Sequence, residues 1–195
     1  MHGLVNRSIQ CFVTDTYGVD VWARIAASAG LPDGGFEAVL TYDDALTDRT
    51  LDAASRALDK CPREMLEDLG TYLASNPTVE AVRRLLRFSG TTYVEFLLSL
   101  EDLRGRARLA LPDLDMPDLE VCQDTPGSFV LTARWVRPDV GHVLVGVLRA
   151  MADDYGALVL LEHEGETDGA ARIRISLLDT DFAMGRDFSL AGAAA

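Results

Sequence analysis

The side chains most able to carry out chemistry are few in this chain, and they are widely separated. They are the three histidines, at positions 2, 142 and 163, and the three cysteines, at positions 11, 61 and 122. The cysteines form no CxxC pair and no other spacing typical of a metal site. GxSxG, GxGxxG, HExxH and P-loop motifs are also missing. The sequence therefore predicts a protein that is not an enzyme, with the reduced thiols typical of the cytoplasm.

Acidic residues are abundant, but their spacing does not predict a metal site. Asp43-Asp44 and Asp153-Asp154 are most simply solvated surface residues. Asp179-Thr180-Asp181 resembles part of a calcium loop, but it lacks the glycine and the terminal glutamate of that loop. The net charge of −13 makes nucleic acids and anionic lipids poor partners. No apolar run approaches the ~18 residues needed to span a bilayer, and the N-terminal residues do not resemble a signal peptide.

One charged residue, Arg104, occupies a position where an apolar residue is expected. Leu97, Leu100 and Arg104 are spaced so that they share one stripe of a helix. A guanidinium on such a stripe either reaches water near the end of the helix or pairs with an acidic group. The neighbouring Glu101 and Asp102 point away from this stripe, but a carboxylate from the sheet-containing part of the chain, after about residue 111, could reach Arg104 instead.

The first two-thirds of the chain have apolar residues at helical spacing. Helices are predicted over residues 4–13, 21–26, 48–58, 62–74 and 93–109. Asn76-Pro77 has the residue types of a helix start. Thr92 and Glu95 fit a capping box at the start of the last helix. Gly30 to Gly35 is predicted to be a loop.

The pattern changes after Pro112, where strands become the predicted elements. They cover residues 119–122, 128–136, 157–161 and 171–178, and a helix capped by Asp139 follows the second strand. The polar turn Glu164 to Gly169 predicts a hairpin of the last two strands, with one face of the sheet exposed to water. This order of elements indicates an α+β fold. We expect a single domain over residues 1–188, helical to about residue 111, and a disordered tail over residues 189–195.

Several segments, in this order, resemble one known family. They are the N-terminal stretch MHGLVNRSIQCFVTDTYGVDVWARI, Tyr42-Asp43-Asp44, Leu86 to Gly90, Glu95-Phe96-Leu97, and Val136-Arg137 with the helix to Gly156. The resemblance is to H-NOX (heme–nitric oxide/oxygen binding) domains, including the N-terminal heme domain of the soluble guanylate cyclase β subunit. It covers nearly the whole chain. It implies a helical N-terminal part packed on a four-stranded antiparallel sheet, with heme between the two.

The same resemblance implies that a proximal histidine should hold the heme iron. In H-NOX domains that histidine lies a few residues after the segment matching Glu95-Phe96-Leu97, and the corresponding position in this sequence is Arg104. An arginine stays protonated and has no lone pair to offer a metal, so it cannot be an axial ligand. We therefore expect a divergent member of the family, in which ordinary heme ligation is lost.

The heme-propionate motif of the family, Tyr-x-Ser-x-Arg, is also changed. The matching residues are Ala133, Trp135 and Arg137, so only the arginine is retained. Strand alternation predicts that all three lie on one face. Trp135 is then either a core aromatic residue or a residue that fills part of the ancestral pocket. The resemblance places further pocket residues at Pro117, Leu100, Leu4 and Val5.

The function implied by the resemblance is that of a stand-alone sensor or regulatory domain in the bacterial cytoplasm. Its partner would be a histidine kinase or a cyclic-di-nucleotide signalling enzyme. It would bind an acidic apolar molecule through Arg104 and Arg137, or no ligand at all. The alternatives are a heme-based NO/O2 sensor with unusual ligation and a ligand-free interaction module. His142 is predicted to face solvent, and the sequence gives no reason to expect that it, His2 or His163 ligates iron.

Overall fold

The computed structural model describes residues 1–31, 35–88, 90–137 and 139–188. They divide into two compact units, one over Met1–Leu69 and one that begins at Gly70. The boundary falls within a helix. The first four helices are α1 (Gly3–Tyr17), α2 (Val19–Ala29), α3 (Asp44–Leu58) and α4 (Pro62–Ser75). All four were predicted from the apolar spacing, with ends that differ by a few residues.

The core of the first unit is built from the apolar faces of α1 and α2. Phe12 and Val13 of α1 and Ile25 of α2 are almost fully buried. Phe36 lies against Trp22, with ring centroids 6.2 Å apart. These contacts require the helices to pack closely. At the start of α3, the Asp43 carboxylate accepts a hydrogen bond from the backbone N–H of Ala45 and so caps the helix.

After the end of α4, the second unit contains three short helices. They are α5 (Glu80–Arg87), α6 (Tyr93–Leu98) and α7 (Leu103–Ala110). The capping box at the start of α6 is confirmed. The Thr92 hydroxyl accepts from the Glu95 N–H at 3.2 Å, and the Glu95 carboxylate accepts from the Thr92 N–H at 3.1 Å. Asn76 caps a 3₁₀ turn, as its residue type predicts.

The prediction of one continuous helix over residues 93–109 is wrong, because a 3₁₀ turn at Ser99–Asp102 separates α6 from α7. Two interactions favour the tighter turn. The Ser99 hydroxyl donates to the carbonyl of Phe96 at 2.8 Å, and the Glu101 carboxylate accepts from the backbone N–H of Val121 at 3.0 Å. The second contact ties the turn to a strand, which helical periodicity alone does not reveal.

Four strands form one antiparallel sheet in the order β1-β2-β4-β3, which confirms the predicted α+β fold. The strands are β1 (Asp118–Thr125), β2 (Ser128–Arg134), β3 (Leu158–Thr167) and β4 (Ala170–Asp179), and α8 (Val140–Tyr155) lies between β2 and β3 in sequence. Leu131, Ile173 and Ile175 are fully buried on the inner face. The outer face carries Arg172 and Arg174, so the predicted alternation along β4 is confirmed.

Three local predictions around the sheet need correction. β2 ends at Arg134, two residues earlier than predicted. Asp139 stands at the start of α8 with a φ of 67° and no capping bond from its side chain. Its backbone N–H donates instead to the Glu166 carboxylate at 2.8 Å. The last hairpin turns at Asp168-Gly169 alone, because β3 extends to Thr167.

The remaining predictions concern surface and termini. Cys61 and Cys122 are exposed and Cys11 is half-buried, and all three are free thiols. None of the helices in the described residues is long and apolar enough to span a membrane. The predicted tail at 189–195 and the centre of the predicted loop, at 32–34, lie outside the described residues.

Candidate functional site

Arg104 lies near the start of α7, where the apolar stripe of the preceding residues ends. Leu97 and Leu100 are buried, whereas the Arg104 side chain is 34% exposed. Its Nη2 lies 3.4 Å from Oδ1 of Asp115, which belongs to the segment between α7 and β1. The geometry combines both arrangements expected for a charge on such a stripe, because the guanidinium reaches water and also meets a carboxylate.

Trp135 binds the second oxygen of the same carboxylate. Its indole Nε1 donates to Oδ2 of Asp115 at 2.7 Å. The ring is half-buried and packs against the core of the second unit. Arg104, Asp115 and Trp135 thus form one group, here called the Asp115 cluster, in which a single carboxylate accepts from two donors.

The expectation that positions 133, 135 and 137 share one strand face is wrong, because β2 ends at Arg134. Ala133 is on the strand and buried, with only 1% of its surface exposed. Trp135 follows the strand, and Arg137 lies half-buried in the turn that leads to α8. Strand alternation therefore does not set the direction of the Trp135 side chain. The hydrogen bond from the indole to Asp115 orients it instead.

Asp115 is the residue that sequence reasoning missed. It is one of three aspartates in the segment Pro112 to Asp118, and nothing in their spacing singles it out. The pair that it forms with Arg104 is substantially exposed on both sides, and such pairs contribute only about 0–1 kcal/mol. The ion pair within the Asp115 cluster is thus a weak surface interaction.

The other predicted pocket residues are placed as follows. In the second unit Pro117 and Leu100 are buried. In the first unit Leu4 and Val5 are half-buried on α1. Of the predicted set, the structure brings Arg104 and Trp135 together, through Asp115.

The prediction that His142 faces solvent is wrong. Its ring stacks on that of His163 with centroids 4.4 Å apart and an interplanar angle of 26°. The absence of a side chain at Gly141 permits this approach, because a Cβ there would lie 2.2 Å from Nε2 of His163. His2 is used differently, since its Nδ1 accepts from the backbone N–H of Leu4 at 3.1 Å at the start of α1. The described residues contain no group of three or more histidine, cysteine or acidic side chains that could hold a metal.

The outer face of the sheet has an open concavity of about 520 Å³, but its charges are balanced locally. Arg134 pairs with Glu120 at 3.1 Å, and Arg172 pairs with Glu164 at 3.4 Å. Since these guanidiniums already contact carboxylates, the concavity does not offer an evident site for an anion.

Comparison with known proteins gives consistent matches along the chain. The haem-NO-binding (HNOB) family profile matches residues 2–163. Soluble guanylate cyclase 89Da of Drosophila melanogaster is 20% identical over 183 residues, which are 92% of this chain and 27% of that protein. Soluble guanylate cyclase gcy-31 of Caenorhabditis elegans is 22% identical over 79% of this chain and 22% of its own length. The chain thus spans about a quarter of these curated relatives.

Solved structures show the same fold at low identity. An H-NOX protein from S. oneidensis in the Fe(II)NO ligation state aligns with a TM-score of 0.77 and 14% identity, covering 92% of this chain and all of the other. The Fe(II) unliganded H-NOX protein from K. algicida aligns with a TM-score of 0.75 and 20% identity, covering 92% and 97% of the two chains. With the profile match over most of its length, the chain belongs to the haem-NO-binding (H-NOX) family.

Proposed function

We propose that this chain is a regulatory H-NOX domain that works without histidine-ligated heme and acts by binding a signalling partner. The observation that carries the proposal is the Asp115 cluster. The family's iron-ligand position holds Arg104, whose guanidinium lies 3.4 Å from Asp115. A guanidinium has no lone pair for iron, so this position does not fit heme coordination.

The residues at the propionate positions support the same proposal. The hydroxyl groups of the family motif are replaced by the methyl group of Ala133 and by the indole of Trp135. That indole is held by Asp115 at 2.7 Å. Arg137 is retained, so one cationic contact for a carboxylate remains. A domain with one of three propionate contacts and no ligand for iron is poorly suited to retain heme.

None of the three histidines is placed to act as an iron ligand without losing a contact that it makes in this structure. His142 and His163 are stacked on each other, and His2 caps a helix. A heme-based gas sensor with unusual ligation would require one of these rings to leave its present contact. This alternative is therefore less well supported than loss of ligation.

An acidic apolar ligand at Arg104 would compete with a carboxylate that the protein already supplies. Asp115 lies against the guanidinium, so such a ligand would have to displace it or be held mainly by Arg137. The ligand-free form of the proposal, in which the fold is kept for its surface, is favoured by this geometry.

The partner in this proposal is a histidine kinase or a cyclic-di-nucleotide signalling enzyme of the bacterial cytoplasm. Support for the partner comes from the family, and the three free thiols agree with a reducing compartment. This chain matches only about a quarter of the length of these guanylate cyclases, so their activity is not transferred to it.

Hemin titration followed by absorption spectroscopy tests the proposal. Wild-type protein should give no histidine-ligated Soret band. Arg104→His should gain one, most clearly when combined with Trp135→Ser, which removes the indole. Arg108→His is the matched control, because Arg108 lies one turn further along α7 and is exposed. Tight, histidine-ligated heme in the wild-type protein would contradict the proposal.

A further inference from the structure

A short segment after β4, residues 183–188, lies along the end of α8 and is here called the C-terminal strap. The backbone N–H of Ala183 donates to the carbonyl of Gly156 at 3.0 Å, and that of Arg186 donates to the carbonyl of Asp154 at 2.9 Å. The contact is close, since a Cβ on Gly156 would lie 2.1 Å from the carbonyl oxygen of Ala183. Glycine at 156 thus lets the strap reach the helix end.

Beneath the strap lies a buried carboxylate between two arginines of α5. The Asp154 side chain is 3% exposed, so the prediction that Asp153-Asp154 is solvated is wrong for Asp154. Its oxygens lie 2.6 Å from Nη2 of Arg83 and 3.1 Å from Nη1 of Arg87. Arg83 also donates to the backbone carbonyl of Asp187 in the strap at 3.2 Å. Two positive charges therefore share one negative side chain, and the strap adds a carbonyl oxygen to this group.

The aromatic ring of Phe188 covers the same arginines. It lies 5.5 Å from the guanidinium of Arg83 and 4.9 Å from that of Arg87, within the range of cation–π contacts. Arg87 also lies 4.0 Å from the ring of Tyr155. Tyr155 in turn contacts Phe96 of α6, with centroids 5.9 Å apart. The strap is thus connected to α6 through a continuous series of ring and guanidinium contacts.

The strap is held more weakly than the elements beneath it. Each residue from Asp181 to Asp187 is exposed, and Phe188 is only half-buried. Lifting the strap would leave the pairing of Asp154 with Arg83 and Arg87 intact, because all three side chains belong to α5 and α8. Segments with few buried apolar contacts open at a small fraction of the cost of global unfolding.

We propose that the C-terminal strap is a releasable latch, which opens and closes over the Arg83–Asp154–Arg87 group while the sheet remains folded. Release removes Phe188 from Arg87 and uncovers the arginine pair. Because Phe188 contacts Arg83 and Arg87, release changes the surroundings of α5 and of the Tyr155 ring that Arg87 contacts. This inference does not depend on whether heme is bound.

Hydrogen–deuterium exchange with mass spectrometry tests the latch on the full chain. In wild-type protein, the amides of Ala183 and Arg186 should exchange at least about a hundredfold faster than the central amides of β4, because the strap opens locally. Phe188→Ala should accelerate strap exchange by roughly threefold to tenfold, as expected for loss of two cation–π contacts. Phe188→Leu should act in the same direction, since it keeps apolar volume and removes the ring.

Phe182→Ala is the matched control, because Phe182 is also an aromatic residue beside the strap and is 61% exposed. It should leave strap exchange unchanged, and β4 should be unchanged in every variant. If the wild-type strap exchanges as slowly as β4, it opens only with global unfolding and the proposal is wrong. Equal effects of the Phe182 and Phe188 substitutions would also overturn it.

Discussion

At the scale of single residues, Asp115 determines the polar environment of Arg104. One of its oxygens meets Arg104 and the other accepts from the indole of Trp135. The Arg104 side chain is 34% exposed and that of Asp115 is 53% exposed, so the two form a surface ion pair, although Nε of Arg104 is itself buried.

Replacing Arg104 with leucine should change the free energy of unfolding by no more than about 1 kcal/mol, because exposed ion pairs are worth that much or less. Urea denaturation provides the measurement. Asp115→Asn is the companion variant, because it removes the negative charge of the same ion pair. A loss of about 3 kcal/mol or more for Arg104→Leu would show that the pair behaves as a buried one.

At the scale of secondary structure, the elements that were predicted best are those determined by neighbouring residues. The capping box of Thr92 and Glu95 and the alternation along β4 are local patterns, and both are confirmed. The 3₁₀ turn before α7 and the early end of β2 were missed, because they depend on contacts with distant residues. Glu101 reaches Val121, and Trp135 reaches Asp115 across 20 positions of the chain.

The site was predicted less completely than the fold for the same reason. The sequence singled out Arg104 and Trp135 as changed positions, but their common partner has no sequence signal. The stacking of His142 on His163 was missed because helical periodicity describes one helix, whereas the contact depends on the close approach of β3 at Gly141.

The end of α8 depends on its buried carboxylate. Asp154→Asn should reduce the free energy of unfolding by about 3 kcal/mol or more, because two arginines would lose the charge that compensates them in a buried position. Asp153→Asn is the matched control, since Asp153 is the adjacent residue and is exposed. Thermal or urea unfolding of both variants measures the difference, and equal losses would contradict this assignment.

The start of α6 should contribute to the pH dependence of stability. The backbone N–H of Thr91, then the Thr91 hydroxyl and the N–H of Thr92, lower the pKa of Glu95 below its usual value of 4.5. A carboxyl whose pKa is lowered in the folded state contributes stability above its unfolded pKa and loses it as pH falls through the folded value.

Glu95→Gln should therefore reduce stability at neutral pH and make the acid side of the stability profile less steep. Urea unfolding at a series of pH values provides the test. Glu37→Gln, which removes one exposed carboxylate elsewhere, serves as the control for the general effect of charge. Identical slopes for the wild type and Glu95→Gln would mean that the cap does not titrate with folding.

At the scale of the whole molecule, the chain has two compact units and one tryptophan in each. Trp22 is buried in the first unit, and Trp135 is half-buried in the second. The proposal that residues 1–188 form a single domain requires both to unfold in one cooperative transition, as small domains usually do.

Single-tryptophan variants make this requirement measurable. Trp135→Phe leaves fluorescence from the first unit, and Trp22→Phe leaves fluorescence from the second. For each variant, the fluorescence transition should coincide with the one that circular dichroism reports for the entire chain. Two separated midpoints within one variant would instead show that the units unfold independently.

The exposed thiols give the protein a practical property. Cys61 belongs to the first unit and Cys122 to the second, and both are exposed. Once Cys11 is replaced by serine, the two native cysteines can each carry a nitroxide spin label. Dipolar spectroscopy would then measure a distribution of distances between the units. A shift of that distribution on addition of hemin or a candidate partner would report a conformational response directly, without any engineered attachment point.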